Sequence, residues 1–421
     1  MRRWPAGLAL VLLAAACSPA TPTASAGKTL RIAVDLPLSG PEVRAATPAL
    51  NGARFFVQTH PTLDGFDVQL VTADDAADPA RGVSNVDTFV GDPSVLAMLG
   101  PFDGSVARKE IPVANAAGLA MVSPATSNPC LTRDTYLPAF LNPARTPVTC
   151  KDAGLPSASD LRPNHVNNFF RLTTTDELQG AAAADFAFDT LHVLRMAAIS
   201  DREAYGQGLA AAFSARFVRR GGSVVGRLDA GTTQGQSDLA SFLARMKADR
   251  VEAVYYGGAG CDVRTHVAAA WAGGDAAPFL GADGIAQDPA CAGAGVYATV
   301  PIPDATSLAG ASATIAAFRS SFGATSAYGP YTMLAYDATA IVYAALDRAI
   351  RGSGGSTPSR ADVLAQVAQT SGLAGVTGEL GFDPAGDTTN RVVTVLQAPA
   401  GHARSPWTPA ATLDYSARLP Y

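Results

Sequence analysis

Short apolar runs alternate with amphipathic stretches of about a dozen residues or more along most of the chain, the pattern of strand and helix units that build a parallel sheet. In the first half, residues 30–36, 66–72, 95–100 and 119–123 read as strands, and residues 49–59, 79–90 and 105–117 as helices. Asp78 followed by Pro79 supplies an N-cap and a first-turn proline for the second of these helices. Residues 124–168 break the rhythm with seven prolines and two cysteines, and read as a loop insertion. The alternation then restarts, with strands expected at 194–200, 223–228, 251–256 and 278–281 and helices at 177–192, 207–219, 237–248 and 263–272. A strand at 296–300, helices at 308–322, 333–351 and 359–369, and a late strand at 392–397 follow. The same architecture thus occurs twice, which predicts an α/β fold of two doubly wound parallel-sheet lobes. Late elements that return to the first lobe require several crossings, a multi-crossing hinge. The expected division is 28–172 and 300–375 for the first lobe, with the insertion at 124–168, and 173–299 and 376–421 for the second.

The N-terminus bounds the setting. Arg2 and Arg3 precede an apolar run over 6–16 that is too short to span a bilayer, so residues 1–16 read as an export signal. The run ends Leu13-Ala14-Ala15-Ala16-Cys17, which resembles a bacterial lipobox and makes Cys17 the expected lipidation site, anchoring the exported protein at the membrane of the periplasm or cell surface. An ordinary signal cut near Ala26 is the alternative, and it exports the chain equally. Residues 17–27 are polar and proline-broken, a flexible tether.

Among 421 residues, 48% are hydrophobic and 16% charged, enough apolar matter for large cores. The net charge of -5 lacks the basic excess that neutralises nucleic-acid phosphates, so nucleic acid is not an expected partner. Apart from Cys17 the cysteines are Cys130, Cys150, Cys261 and Cys291, an even number in a compartment that permits disulfides. Three pairings are possible. Cys130 with Cys150 and Cys261 with Cys291 is preferred, because each closes a modest loop. A zinc site at Cys261, His266 and Cys291 is the rival, but tight ligand spacing is missing, and no metal or cofactor is expected.

Parallel α/β sheets bind ligands beyond the carboxyl ends of their strands, so the residues just after each strand are informative. They include Gly104 and Ser105 after the third strand and Ala125, Thr126 and Ser127 after the fourth. In the second lobe the equivalents are the turn with Tyr205, Ala259 after Gly257-Gly258, and Asp283. Such small and hydroxylic loops present backbone N–H groups and hydroxyls that can hold a carboxylate without Arg. Ser105 and Ser127 are the anion candidates, Asp283 the candidate partner of an ammonium, and Tyr205 a candidate aromatic cover. Each also has an ordinary structural reading as a cap, a turn residue or a packed ring. Asp74, Asp75 and Asp78 lack the spacing of a calcium loop. Gly206-Gln207-Gly208-Leu209-Ala210-Ala211 imitates a dinucleotide fingerprint, but it stands five residues too far from its strand. No H-E-x-x-H, G-x-S-x-G or P-loop occurs, so no enzyme is expected.

At these residues the chain resembles a type I periplasmic binding protein of the leucine/isoleucine/valine-binding family, the substrate-capturing component of an ABC importer. The matching segments are Leu30-Arg31-Ile32-Ala33-Val34 with Ser39-Gly40, Asn51-Gly52-Ala53-Arg54, Asp74-Asp75 with Asp78-Pro79, and Ser123-Pro124 with Asn128-Pro129. Tyr205-Gly206, Val254-Tyr255-Tyr256-Gly257-Gly258, Gly329-Pro330 and Ala335-Tyr336-Asp337 continue the match. The resemblance implies a monomer whose lobes close on a small zwitterion, a branched-chain or other amino acid, and which then docks on a membrane permease. It implies carboxylate contacts at Gly104, Ser105 and Ser127, and ammonium contacts near Ala125 and at Asp283. A sensory receptor for amino acids, amides or urea is the alternative function. Three departures concern specificity: no aromatic in 41–45, Ala259 where Tyr is common, and Gly104 in place of a hydroxyl residue. The family's early disulfide would join the positions of Ala77 and Asp103, so both of its cysteines are missing together.

Overall fold

The computed structural model describes Met1 and residues 28–231, 233–272, 277–286, 288–323, 327–400 and 407–417. Cys17 lies outside them. The first sheet is built from β1 (Thr29–Leu36), β2 (Thr62–Leu63), β3 (Phe66–Asp74), β4 (Val95–Leu99) and β5 (Ala120–Ser123), with helices α1 (Val43–Thr59), α2 (Pro79–Gly91) and α3 (Gly104–Ala116) between them. Two short strands, β6 (Thr135–Leu137) and β7 (Val148–Thr149), pair within the insertion, and β8 (Phe169–Arg171) closes the sheet in the order β2-β3-β1-β4-β5-β8. All pairings are parallel except that of β2 with β3. β4 and β5 are buried at every position, because helices cover both faces of the sheet.

The second sheet repeats the plan. α4 (Asp176–Asp189), β9 (Arg195–Ser200), α5 (Ala204–Arg219), β10 (Ser223–Asp229), α6 (Thr233–Ala248), β11 (Ala253–Gly257), α7 (Asp262–Ala270), β12 (Phe279–Gly281) and β13 (Val296–Val300) follow in turn. Three helices come next, α8 (Ser312–Phe322), α9 (Thr332–Gly352) and α10 (Arg360–Ala368), then a hairpin of β14 (Leu373–Gly375) and β15 (Gly378–Leu380), and finally β16 (Val392–Gln397) and β17 (Thr408–Asp414). The sheet order is β10-β9-β11-β12-β13-β16-β17.

Both lobes are built on parallel sheets as expected, and the second adds two antiparallel strands at its edge, β16 against β13 and β17 against β16. The reason is the route of the chain. It leaves β13 for the first lobe and returns from it to the same end of the sheet, so the returning strand runs the other way. β17 and the β14–β15 hairpin were not foreseen from the sequence.

One face of the first sheet packs on α1, α9 and α10, through residues such as Leu50, Ile341 and Val363; Val86, Phe89 and Ile111 of α2 and α3 cover the other. At Gly52 an added Cβ would lie 1.9 Å from the Thr332 carbonyl oxygen, so glycine is what lets α1 and α9 meet. Arg171, fully buried at the end of β8, donates to Asp387 at 2.7 Å, tying that crossing to the segment before β16. Arg133 donates to the same carboxylate at 2.6 Å. Burial alone would raise the pKa of Asp387, but Arg171 and Arg133 outweigh it and hold it below the usual range. The disulfides are Cys130–Cys150 and Cys261–Cys291, the preferred pairing, with Cα atoms 5.8 and 5.2 Å apart. Among the described residues no helix is long and apolar enough to cross a membrane.

Candidate functional site

The strand-end loops converge where the two sheets face each other. β4 turns at Gly100, whose φ is 116° and where a Cβ would lie 2.2 Å from the Asp35 carbonyl oxygen, so no side chain fits. Gly104 begins α3, and its missing Cβ would lie 3.6 Å from the Asn128 side chain, so the loops after β4 and β5 touch. The N–H of Ser105 is not offered outward. It donates to Asp103 Oδ1 at 2.5 Å, as does the N–H of Val106 at 3.2 Å, which makes Asp103 the N-cap of α3. The sequence reading missed this cap, although an Asp two residues before a Ser at a strand-to-helix turn is its ordinary signal.

Ser123 organises the loop after β5. Its Oγ accepts from the N–H groups of Ala125 and Thr126 at 3.2 and 3.0 Å and from the Thr126 hydroxyl at 2.8 Å, and donates to the Pro101 carbonyl at 2.8 Å. Ala125, Thr126 and Ser127 are buried. The Ser127 carbonyl accepts from the N–H of Asp176 at 2.9 Å, which ties this loop to the start of α4.

In the opposite lobe Asp283 follows β12 and is held by three side chains. Its Oδ1 accepts from Tyr205 Oη at 2.6 Å and from Gln179 Nε2 at 2.7 Å; its Oδ2 accepts from Tyr331 Oη at 2.5 Å. Tyr205 and Gln179 come from α5 and α4 of the same lobe. Tyr331 immediately precedes α9, which packs on the first sheet, so its bond joins the lobes. Tyr331 also meets Phe102 edge to face, with ring centroids 5.1 Å apart. Ala259 is exposed, and its N–H donates to Asp201 Oδ2 at 3.2 Å. A Cβ on Gly284 would come within 2.9 Å of the Ala259 backbone, so the turns of Ala259 and Asp283 adjoin.

The structure therefore gathers Gly104, Ser105, Ala125, Thr126 and Ser127 on one wall and Tyr205, Ala259 and Asp283 on the other. Gln179 and Tyr331 were missed, Gln179 because nothing local marks it. The Gly329-Pro330 turn just before Tyr331 was the available signal.

Burial and the neighbouring Asp283 hold the phenols of Tyr205 and Tyr331 well above their usual pKa, so both remain donors. Asp176 is buried, and its two oxygens lack a hydrogen bond of sound geometry. Burial pushes it up to about 7, the Ser127 hydroxyl partly offsetting this and the charges of Asp283 and Glu177 adding to it. Glu42, the N-cap position of α1, is half-buried, and its side chain makes no capping bond. Burial, then the charges of Asp103, Asp75 and Asp283, push it up to about 7.

Asp35, Asp75 and Glu110 form a separate cluster behind the first wall, with carboxylate oxygens within 4.8 Å of one another and all three side chains fully buried. Burial raises Asp35 to about 6, Asp75 to about 7 and Glu110 well above its usual value. Three oxygen ligands is a set a hard cation could use, but the raised values equally suit shared protons. A cavity of about 580 Å³ between α4, α5 and β17, lined by Asp185, Arg216 and Tyr415 among others, touches none of the expected site residues.

A family model described as periplasmic binding protein matches residues 29–403. The chain belongs to that family. An amino acid binding protein of Pseudomonas aeruginosa is 27% identical over 54% of this chain, which spans 52%, about half, of that relative. A Leu/Ile/Val-binding protein homologue of Brucella melitensis is 26% identical over 86% of this chain and 89% of its own length. A solved leucine-binding protein of Thermotoga maritima superposes with a TM-score of 0.71 at 21% identity, over 92% of this chain and 99% of the other, a likeness of fold.

Proposed function

We propose that the protein captures an amino acid outside the cytoplasm and delivers it to the membrane permease of an ABC importer. The observation that carries this is the setting of Asp283, an acid steadied by Tyr205 and Gln179 on its own lobe and reached from the other lobe by Tyr331. A ligand ammonium placed at Asp283, with its carboxylate toward Ser127, would contact both walls only when the lobes are closed, and such differential contact drives closure. The proposed division is 28–172 and 300–375 for one lobe and 173–299 and 376–421 for the other. Cys17 is the proposed lipid attachment site, which would keep the receptor beside its permease. A charge-assisted contact of this kind contributes about 1.5 to 3 kcal/mol. Asp283→Ala should therefore weaken binding of the best amino acid found in a thermal-shift screen by roughly tenfold to a hundredfold or more, measured by calorimetry. Unchanged affinity would remove Asp283 from the site.

A further inference from the structure

The walls that would hold an amino acid here carry more carboxyl groups than a zwitterion needs. Glu42 and Asp103 stand on the first wall, and Asp283 on the second with Asp176 close by. The donors that would balance a ligand carboxylate are partly spent within the protein: Asp103 takes the N–H groups of Ser105 and Val106, and Ser123 those of Ala125 and Thr126. Asp176 is 1% exposed, and its carboxyl oxygens lack a hydrogen bond of sound geometry, with the Ser127 hydroxyl beside them.

Glu42, at the N-cap position of α1, stands near this space. Arg44, two residues on, reaches Asp288 in the second lobe at 3.2 Å, five residues beyond Asp283, so the start of α1 and the turn after β12 confront each other. The charged groups that act on Glu42 are Asp103, Asp75 and Asp283, all acids. Arg44 is engaged with Asp288, and half-buried Arg108 lies between the fields of Asp103 and Glu203. Beside Asp283 stands the ring of Tyr331, 4% exposed, which meets Phe102 edge to face.

We infer that the cleft selects an amino acid with a cationic side chain, an ammonium or a guanidinium, and that Glu42 is the specificity-determining residue that receives it. This rests on the amino-acid reading of the site. A bound side-chain cation supplies the counter-charge that Glu42, Asp103 and Asp283 lack toward one another. It also favours the charged form of Glu42, so binding near neutral pH releases a proton.

The test is titration calorimetry of the purified protein with L-lysine, L-arginine and L-leucine at pH 7, in two buffers of different ionisation enthalpy. The expected result is that lysine or arginine binds at least tenfold more tightly than leucine, with net proton release on binding. In Glu42→Gln the preference over leucine should collapse and the proton release vanish, while Glu42→Asp retains part of both; circular dichroism checks that each variant is folded. Leucine binding as tightly as the basic amino acids, or a preference untouched in folded Glu42→Gln, overturns the inference and leaves the amino-acid reading standing. Absence of binding by all three overturns the inference, and a thermal-shift screen in which no amino acid stabilises the protein overturns the amino-acid reading as well.

Discussion

At the scale of single residues the decisive feature is which polar groups are already committed. Ser105 is a hydroxyl residue at a helix N-terminus, the type of position that holds anions, yet its N–H belongs to Asp103. Tyr331 shows the opposite case, a side chain marked locally by the Gly329-Pro330 turn before it, which becomes a link between lobes because its hydroxyl reaches Asp283. Tyr331→Phe keeps the ring against Phe102 and removes only that hydrogen bond. It should lower amino-acid affinity by about tenfold, the usual worth of a bond to a charged group, with little change in thermal stability. Calorimetry and a melting curve on the same sample check both halves; equal loss in a ligand-free melting temperature would make the role of Tyr331 structural. Asp283 and Tyr205 were legible from the sequence as strand-end residues, whereas Gln179 was not, since an inward-facing Gln in a uniformly buried helix leaves no periodic mark.

At the scale of elements, α2 and α3 press against β1 and the end of β3 around three buried carboxyls. A Cβ on Gly82 of α2 would lie 2.5 Å from Glu110 Oε1, so glycine is what lets α2 approach α3 there. Asn85 donates to Asp35 at 2.9 Å and the N–H of Ala77 to Asp75 at 2.7 Å, but both oxygens of Glu110 face the other acids without a donor. The folded protein therefore binds these protons more tightly than the unfolded chain does. Stability is greatest where the carboxyls are protonated and declines as pH rises through about 6 for Asp35 and about 7 for Asp75. Toward the acid side, below the unfolded pKa of its carboxyl, Asp387 loses its contribution as it is protonated away from Arg171 and Arg133. A melting temperature several degrees higher at pH 5.5 than at pH 8 is expected. Glu110→Gln, a neutral donor of the same shape, should shrink that difference; a pH-independent melting temperature would contradict the raised values.

At the scale of the whole molecule, the crossings around Arg171 and Asp387 join the two sheets, and the proposed attachment at Cys17 is tested in the cell. Cys17→Ser should move the protein from the membrane fraction to the soluble exported fraction without altering ligand affinity, as cell fractionation and calorimetry would show. An unchanged membrane association would refute attachment at Cys17. What the sequence alone determined was everything written in short-range pattern: the alternation of strands and helices, the glycine and hydroxyl-rich turns at strand ends, and cysteines near enough in the chain to pair. Such features arise from backbone periodicity and local turn chemistry, which a linear reading captures. The tertiary structure alone decided the antiparallel return of β16, the meeting of Gln179, Tyr205 and Tyr331 on Asp283, and the burial of Asp35, Asp75 and Glu110 together. Those depend on which distant segments the packed sheets bring within a few ångströms, and hydrogen bonding and desolvation act on that distance, whatever the separation along the chain.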